Sequence, residues 1–92
     1  MITSFKDRRL KRFYETGERG KIQPKLLDRV EFILSLLDIA DTLEDINVHS
    51  LHLRQLKGDK KGIWSVTVRA NWRIIFRFEN GKAFDVEMTD CH

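Results

Sequence analysis

The chain has 92 residues, 41% of them apolar, with 17 Lys and Arg against 14 Asp and Glu for a formal charge of +3. That length fits one domain over residues 1–92 with a real hydrophobic core. No apolar run approaches the ~20 residues of a membrane span, the start Met1-Ile-Thr-Ser-Phe-Lys has no signal-peptide hydrophobic block, and Cys91 has no second cysteine to pair with; a reduced, cytoplasmic chain without membrane association is expected.

Ile2–Phe5 is short and β-leaning. Lys6–Thr16 places Leu10, Phe13 and Tyr14 at helical spacing among charges, which predicts a basic helix ending at Gly17. Pro24 stands where a helix begins, because its missing N–H costs nothing in the first turn. From there Lys25–Ala40 carries Leu26, Val30, Ile33 and Leu37 along one face, widened by Leu27, Leu34 and Leu36. Asp41–Asn47 adds a further turn. After residue 50 the period becomes two. Leu51–Leu56 reads as a strand, followed by the loop Lys57–Gly62. Ile63–Arg69 alternates Trp64, Val66 and Val68 against Ser65, Thr67 and Arg69. Ala70-Asn71 is a tight connection, and Trp72–Phe78 alternates again with Arg73, Ile75 and Arg77 on its second face. Asn80-Gly81 is a strong signal for a two-residue hairpin turn, which needs positive φ at both positions. Lys82–Thr89 is the last strand, with Phe84, Val86 and Met88 on one face. The order implies an α+β fold: two N-terminal helices packed on an antiparallel β-sheet.

Charge is segregated along the chain. Residues 1–30 balance at +5, residues 31–51 at −5 with no Lys or Arg, and residues 52–92 at +3. A clustered basic surface of this kind attracts a polyanion, although the same charges serve an ordinary solvated surface. Arg69, Arg73 and Arg77 should share the polar sheet face, as contacts for a polyanion or as cross-strand ion pairs with Asp85 and Glu87. His52 and Arg54, two apart in a predicted strand, should join them. Lys57, Lys60 and Lys61 form a basic loop suited to phosphate contact or simply to solubility. Trp64 and Trp72 read as core.

Asp90 and His92 follow the last strand; an imidazole titrates near neutrality and a neighbouring carboxylate can orient it. The sequence contains no P-loop, no Gly-x-Ser-x-Gly, no His-Glu-x-x-His and no paired Cys ligands, and its three histidines lack metal-ligand spacing. No metal or cofactor is therefore expected, which points any phosphate chemistry toward a metal-free mechanism. RNA permits this, since its 2′-hydroxyl is a built-in nucleophile; a base, an acid and cations for the developing charge then suffice.

The stretch Leu56-Lys-Gly-Asp-Lys-Lys-Gly-Ile-Trp-Ser-Val-Thr-Val-Arg-Ala-Asn-Trp-Arg-Ile-Ile-Phe-Arg-Phe78, then Asn80-Gly81, then Asp90-Cys91-His92, resembles the HigB toxins, RelE-like toxins of bacterial type II toxin–antitoxin modules. The resemblance covers nearly the whole chain. It implies a compact RelE-like fold and a ribosome-dependent endoribonuclease that cleaves mRNA in the A site of the 70S ribosome and so inhibits translation. It also implies a HigA-type helix-turn-helix antitoxin, with operator DNA contacted only through that complex. By position, Arg73 and Lys57 match residues that hold the mRNA phosphate, and Asp90 and His92 match the C-terminal acid–base pair. Two positions depart from the family pattern: Arg54 stands where histidine is frequent, and Cys91, at an RNA-contacting position, where tyrosine is usual. Arginine cannot act as a base near neutral pH, but it can stabilise a pentacovalent phosphate, with His52 a partial substitute for the missing imidazole. The expectation is retained but slower cleavage. A basic protein that binds RNA or the ribosome without cutting is the alternative.

Overall fold

The computed structural model describes residues 1–58 and 62–90. The β-leaning start runs parallel to strand β4 (Lys82–Asp90): Ile2 bridges Ala83 and Phe5 bridges Val86, with Thr3 N–H donating to Ala83 O at 2.8 Å and Lys6 N–H to Val86 O at 3.0 Å. This covers an edge whose backbone groups would otherwise be open to unwanted pairing. Because Lys6 is committed to β4, helix α1 starts later than predicted, at Arg8–Thr16. Asp7 caps it by accepting from Arg9 N–H at 3.0 Å, and Gly17, at φ 77°, ends it by donating to Phe13 O.

Pro24 opens a single 3-10 turn, Pro24–Leu26, which leads into α2 (Leu27–Ile39). The predicted stripe is the core: Leu26, Val30, Ile33 and Leu37 are fully buried. α2 packs on β4 and on the second sheet strand, and α1 packs on β4. The expected pair of helices is thus one long helix across the sheet and one short helix at its β4 margin. The extra turn forms as 3-10 helix Leu43–Ile46, closed by a capping box between Thr42 and Asp45.

The sheet has the order β1 (Arg54–Gln55), β2 (Ile63–Arg69), β3 (Trp72–Glu79) and β4, each neighbour antiparallel. Val66, Val68, Ile74, Phe76, Ala83, Val86 and Met88 face the helices and are buried, and Trp64 and Trp72 are half-buried against that core. The Asn80-Gly81 hairpin has positive φ at both residues, and Asp41 O lies 3.3 Å from where a Cβ on Gly81 would project.

Three expectations fail here. Leu51–Leu56 is not a continuous strand: residues 49–51 make a 3-10 turn ending on His52 in the left-handed region (φ 50°), so β1 begins only at Arg54 and the two do not share a strand face. A bulge in β4 places Asp85 at φ 55° and two residues opposite Phe76, so Phe84 pairs with Arg77 on the polar face while Ala83 takes the core position beside Phe78. Ser4 Oγ receives the Asp85 N–H at 2.8 Å and holds the bulge. A second irregularity between Thr67 and Arg69 sets Arg69 in register with Trp72, out of the row of Arg73.

Candidate active site at the β2–β3 turn and the polar sheet face

Strand register lays the polar face out in rows. Thr67, Arg73 and Thr89 make one row; Arg54, Ser65, Ile75 and Glu87 the next; Ile63, Arg77 and Phe84 the third. Successive rows on one face are about 6.5 Å apart and strands about 4.8 Å apart. Arg54 therefore lies two strands and one row from Arg73, roughly 11–12 Å from backbone to backbone.

The side chains differ in how far they are committed. Arg73 folds its guanidinium against the β2–β3 turn: Nη1 donates to Ala70 O at 2.7 Å and to Trp72 O at 3.1 Å. Those bonds use one of its nitrogens, and the planar fork retains further donors. Arg77 is engaged throughout. It pairs with Glu79 at 2.6 Å and Asp85 at 3.9 Å, and its guanidinium carbon stacks 4.4 Å from the Phe84 ring centroid. Beside it lies a depression of about 180 Å³ lined by Lys6, Ile63, Ile75, Asp85 and Glu87. For Arg77 the ion-pair reading describes the geometry.

Arg69 belongs to a different neighbourhood. With Lys25, Asn71, Trp72 and Asp90 it lines a depression of about 120 Å³ at the end of the sheet. Asp90 is in register with Trp72, and its strand neighbour Thr89 with Arg73, so the same turn is bordered by Arg73 on one face and by Asp90, Arg69 and Lys25 on the other. Lys25 was invisible in the sequence because it reaches this corner from the start of the helical layer. Arg29 was missed for the same reason: from α2 it donates to Val68 O at 3.3 Å and Ser50 O at 3.0 Å, tying the irregular end of β2 to the 3-10 turn before His52. Bound backbone carbonyls leave no sequence signal.

His52 is exposed, its ring 6.0 Å from that of His49. Lys57 is exposed in the β1–β2 loop. Lys60, Lys61, Cys91 and His92 lie outside the described residues. Among the described residues no group of three or more His, Cys, Asp or Glu side chains is placed to hold a metal ion, and no helix is long and apolar enough to cross a membrane.

Fold and site define a small α+β protein that carries its helices on one sheet face and presents cations on the other face and at one sheet end. Residues 3–92 match the family model of the HigB-like toxins, described as the RelE-like toxin of the type II toxin–antitoxin system HigB, and the chain belongs to that family. It is 41% identical over 92 residues, the full length of both chains, to a protein of Proteus vulgaris named Endoribonuclease HigB. It is 31% identical over 87 residues, 92% of each chain, to Toxin HigB-1 of Vibrio cholerae serotype O1.

Proposed function

We propose that residues 1–92 form one toxin domain of a type II toxin–antitoxin module, an endoribonuclease that cleaves mRNA in the ribosomal A site, in the cytoplasm, and is held inactive by a HigA-type helix-turn-helix antitoxin. The observation that carries the reading is the full-length match to a protein named for endoribonuclease activity.

In the reaction, a base removes the 2′-hydroxyl proton and that oxygen attacks the adjacent phosphorus. The bond from phosphorus to the 5′-oxygen breaks as an acid protonates the leaving oxygen, giving a 2′,3′-cyclic phosphate and a 5′-hydroxyl. Asp90 and His92 are assigned the acid–base pair. Arg73 and Arg54 stabilise the pentacovalent phosphate, Arg54 in place of an imidazole and so without proton transfer. Lys57 steers the strand, with Lys60, Lys61, Cys91, Arg69 and His52 as outer RNA contacts. One general acid or base contributes about 10²–10⁴-fold.

Mapping transcript 5′ ends after induction tests this. Wild type should create new 5′-hydroxyl ends inside translated regions, and an Asp90→Ala, His92→Ala double variant should lower their yield by at least about 10²-fold. Translational arrest with no new ends would replace cleavage by non-catalytic ribosome binding.

A further inference from the structure

Helix α2 is apolar on both sides. Its inner stripe fills the core, yet its outer side carries Phe32 at 44% exposure and Ile39 at 76%, seven residues apart, with half-buried Leu36 between them. Residues at i, i+4 and i+7 line one helix face. Beside this stripe runs a groove of about 300 Å³ between α1 and α2, lined by Phe13, Tyr14, Leu34, Ser35, Glu31 and Asp38. Tyr14 is 40% exposed and donates its hydroxyl to Asp38 at 2.8 Å, which fixes one groove wall. Single exposed apolar residues are ordinary; a contiguous stripe with a groove marks an interaction surface.

Charge selects the occupant. The exposed rim is Asp28, Glu31 and Asp38, and from residue 31 to residue 51 the chain has no Lys or Arg. RNA and anionic lipid are repelled by such a rim. A second copy packed symmetrically through α2 would set its own Asp28, Glu31 and Asp38 against these. What fits is a protein segment with apolar anchors for Phe32, Leu36 and Ile39 and Lys or Arg for the carboxylates. We propose that the outer face of α2, with the α1–α2 groove, is the docking surface for a basic amphipathic segment of the antitoxin. This rests on the toxin reading above. The surface lies on the helical layer, across the sheet from Arg54 and Arg73.

The test titrates the purified HigA-type antitoxin into the full chain by calorimetry. A Phe32→Ser, Ile39→Ser variant should bind about 100-fold more weakly, as expected for loss of two buried anchors. Glu31→Lys should bind about 10-fold more weakly near 0.1 M salt, with the difference shrinking as salt is raised. Both variants should cut RNA as wild type does, which also shows that they fold. Wild-type affinity in both variants overturns the proposal. So does ultracentrifugation in which wild type self-associates and the serine variant does not while antitoxin affinity is unchanged, since the occupant is then a second copy. Wild type that cuts RNA yet binds no antitoxin removes the docking surface alone; wild type that does neither removes the toxin reading.

Discussion

Asp7 joins three parts of the molecule through one carboxylate. It accepts from Arg9 N–H at 3.0 Å as the cap of α1, from Arg9 Nη2 at 2.7 Å as an ion pair, and from Met88 N–H at 3.1 Å on β4, with its side chain only 7% exposed. Burial alone would raise its pKa; the Arg9 side-chain hydrogen bond, the Met88 N–H and the Arg9 charge outweigh it and hold the carboxyl below 3.8. Arg9 Nη2 also donates to Met88 O at 3.0 Å, so helix start and strand end are locked together. A group whose folded pKa is depressed stabilises the fold above its unfolded value and loses that contribution as pH falls through its folded value. Asp7→Asn should therefore cost about 1–3 kcal/mol at pH 7, from the cap and the half-broken ion pair. Urea unfolding should find the gap between variant and wild type closing below about pH 4, near the unfolded carboxylate value. Asp7 was legible only as one charge inside the helix predicted over Lys6–Thr16; its Met88 partner is 81 positions away, and no local pattern encodes it.

At the scale of elements, periodicity worked where each residue's face was fixed by burial. The stripe of α2 and the alternation of β3, and of β2 as far as Thr67, follow directly from apolar spacing, and Asn80-Gly81 from the dihedral demands of its turn. Phe84 was placed wrongly because a bulge adds one residue and inverts every face before it; Ser4 and the left-handed Asp85 that hold this bulge are invisible to a period count. The strand expected over 51–56 failed because His52 turns left-handed, a conformation uncommon for a residue with a Cβ. Ala70, in the β2–β3 turn, stands at φ 53°, where an L-residue is strained by about 1–2 kcal/mol. Glycine relieves that strain and returns part of it as unfolded-state entropy. Ala70→Gly should gain about 0.5–1 kcal/mol in chemical denaturation. The carbonyl that receives Arg73 is unchanged by the substitution, so RNA cleavage should survive it.

Over the whole molecule, the charge pattern along the chain becomes a pattern in space. The −5 stretch forms most of α2 and the 3-10 turns after it, on the helical layer, whereas Arg54, Arg73 and the loop bearing Lys57 belong to the sheet. Counting charges could not tell which cations are available to a phosphate, because that depends on partners. Arg77 is satisfied by Glu79, Asp85 and Phe84, whereas among the described residues Arg73 donates to two backbone carbonyls and has no carboxylate partner. Salt dependence separates these cases. Each cation that neutralises a phosphate on a single strand contributes about 0.7 to the slope of log K against log salt. Binding of a 2′-O-methyl RNA, which lacks the nucleophile and cannot be cut, should therefore lose about 0.7 of slope in Arg73→Ala and again in Arg54→Ala. Arg77→Ala should leave the slope unchanged, since its charge is already balanced within the sheet. Equal slopes for Arg73→Ala and wild type would show that the guanidinium at the β2–β3 turn holds the backbone and not the RNA. The proposed acid–base pair, Asp90 and His92, would then have to work without a phosphate clamp from β3.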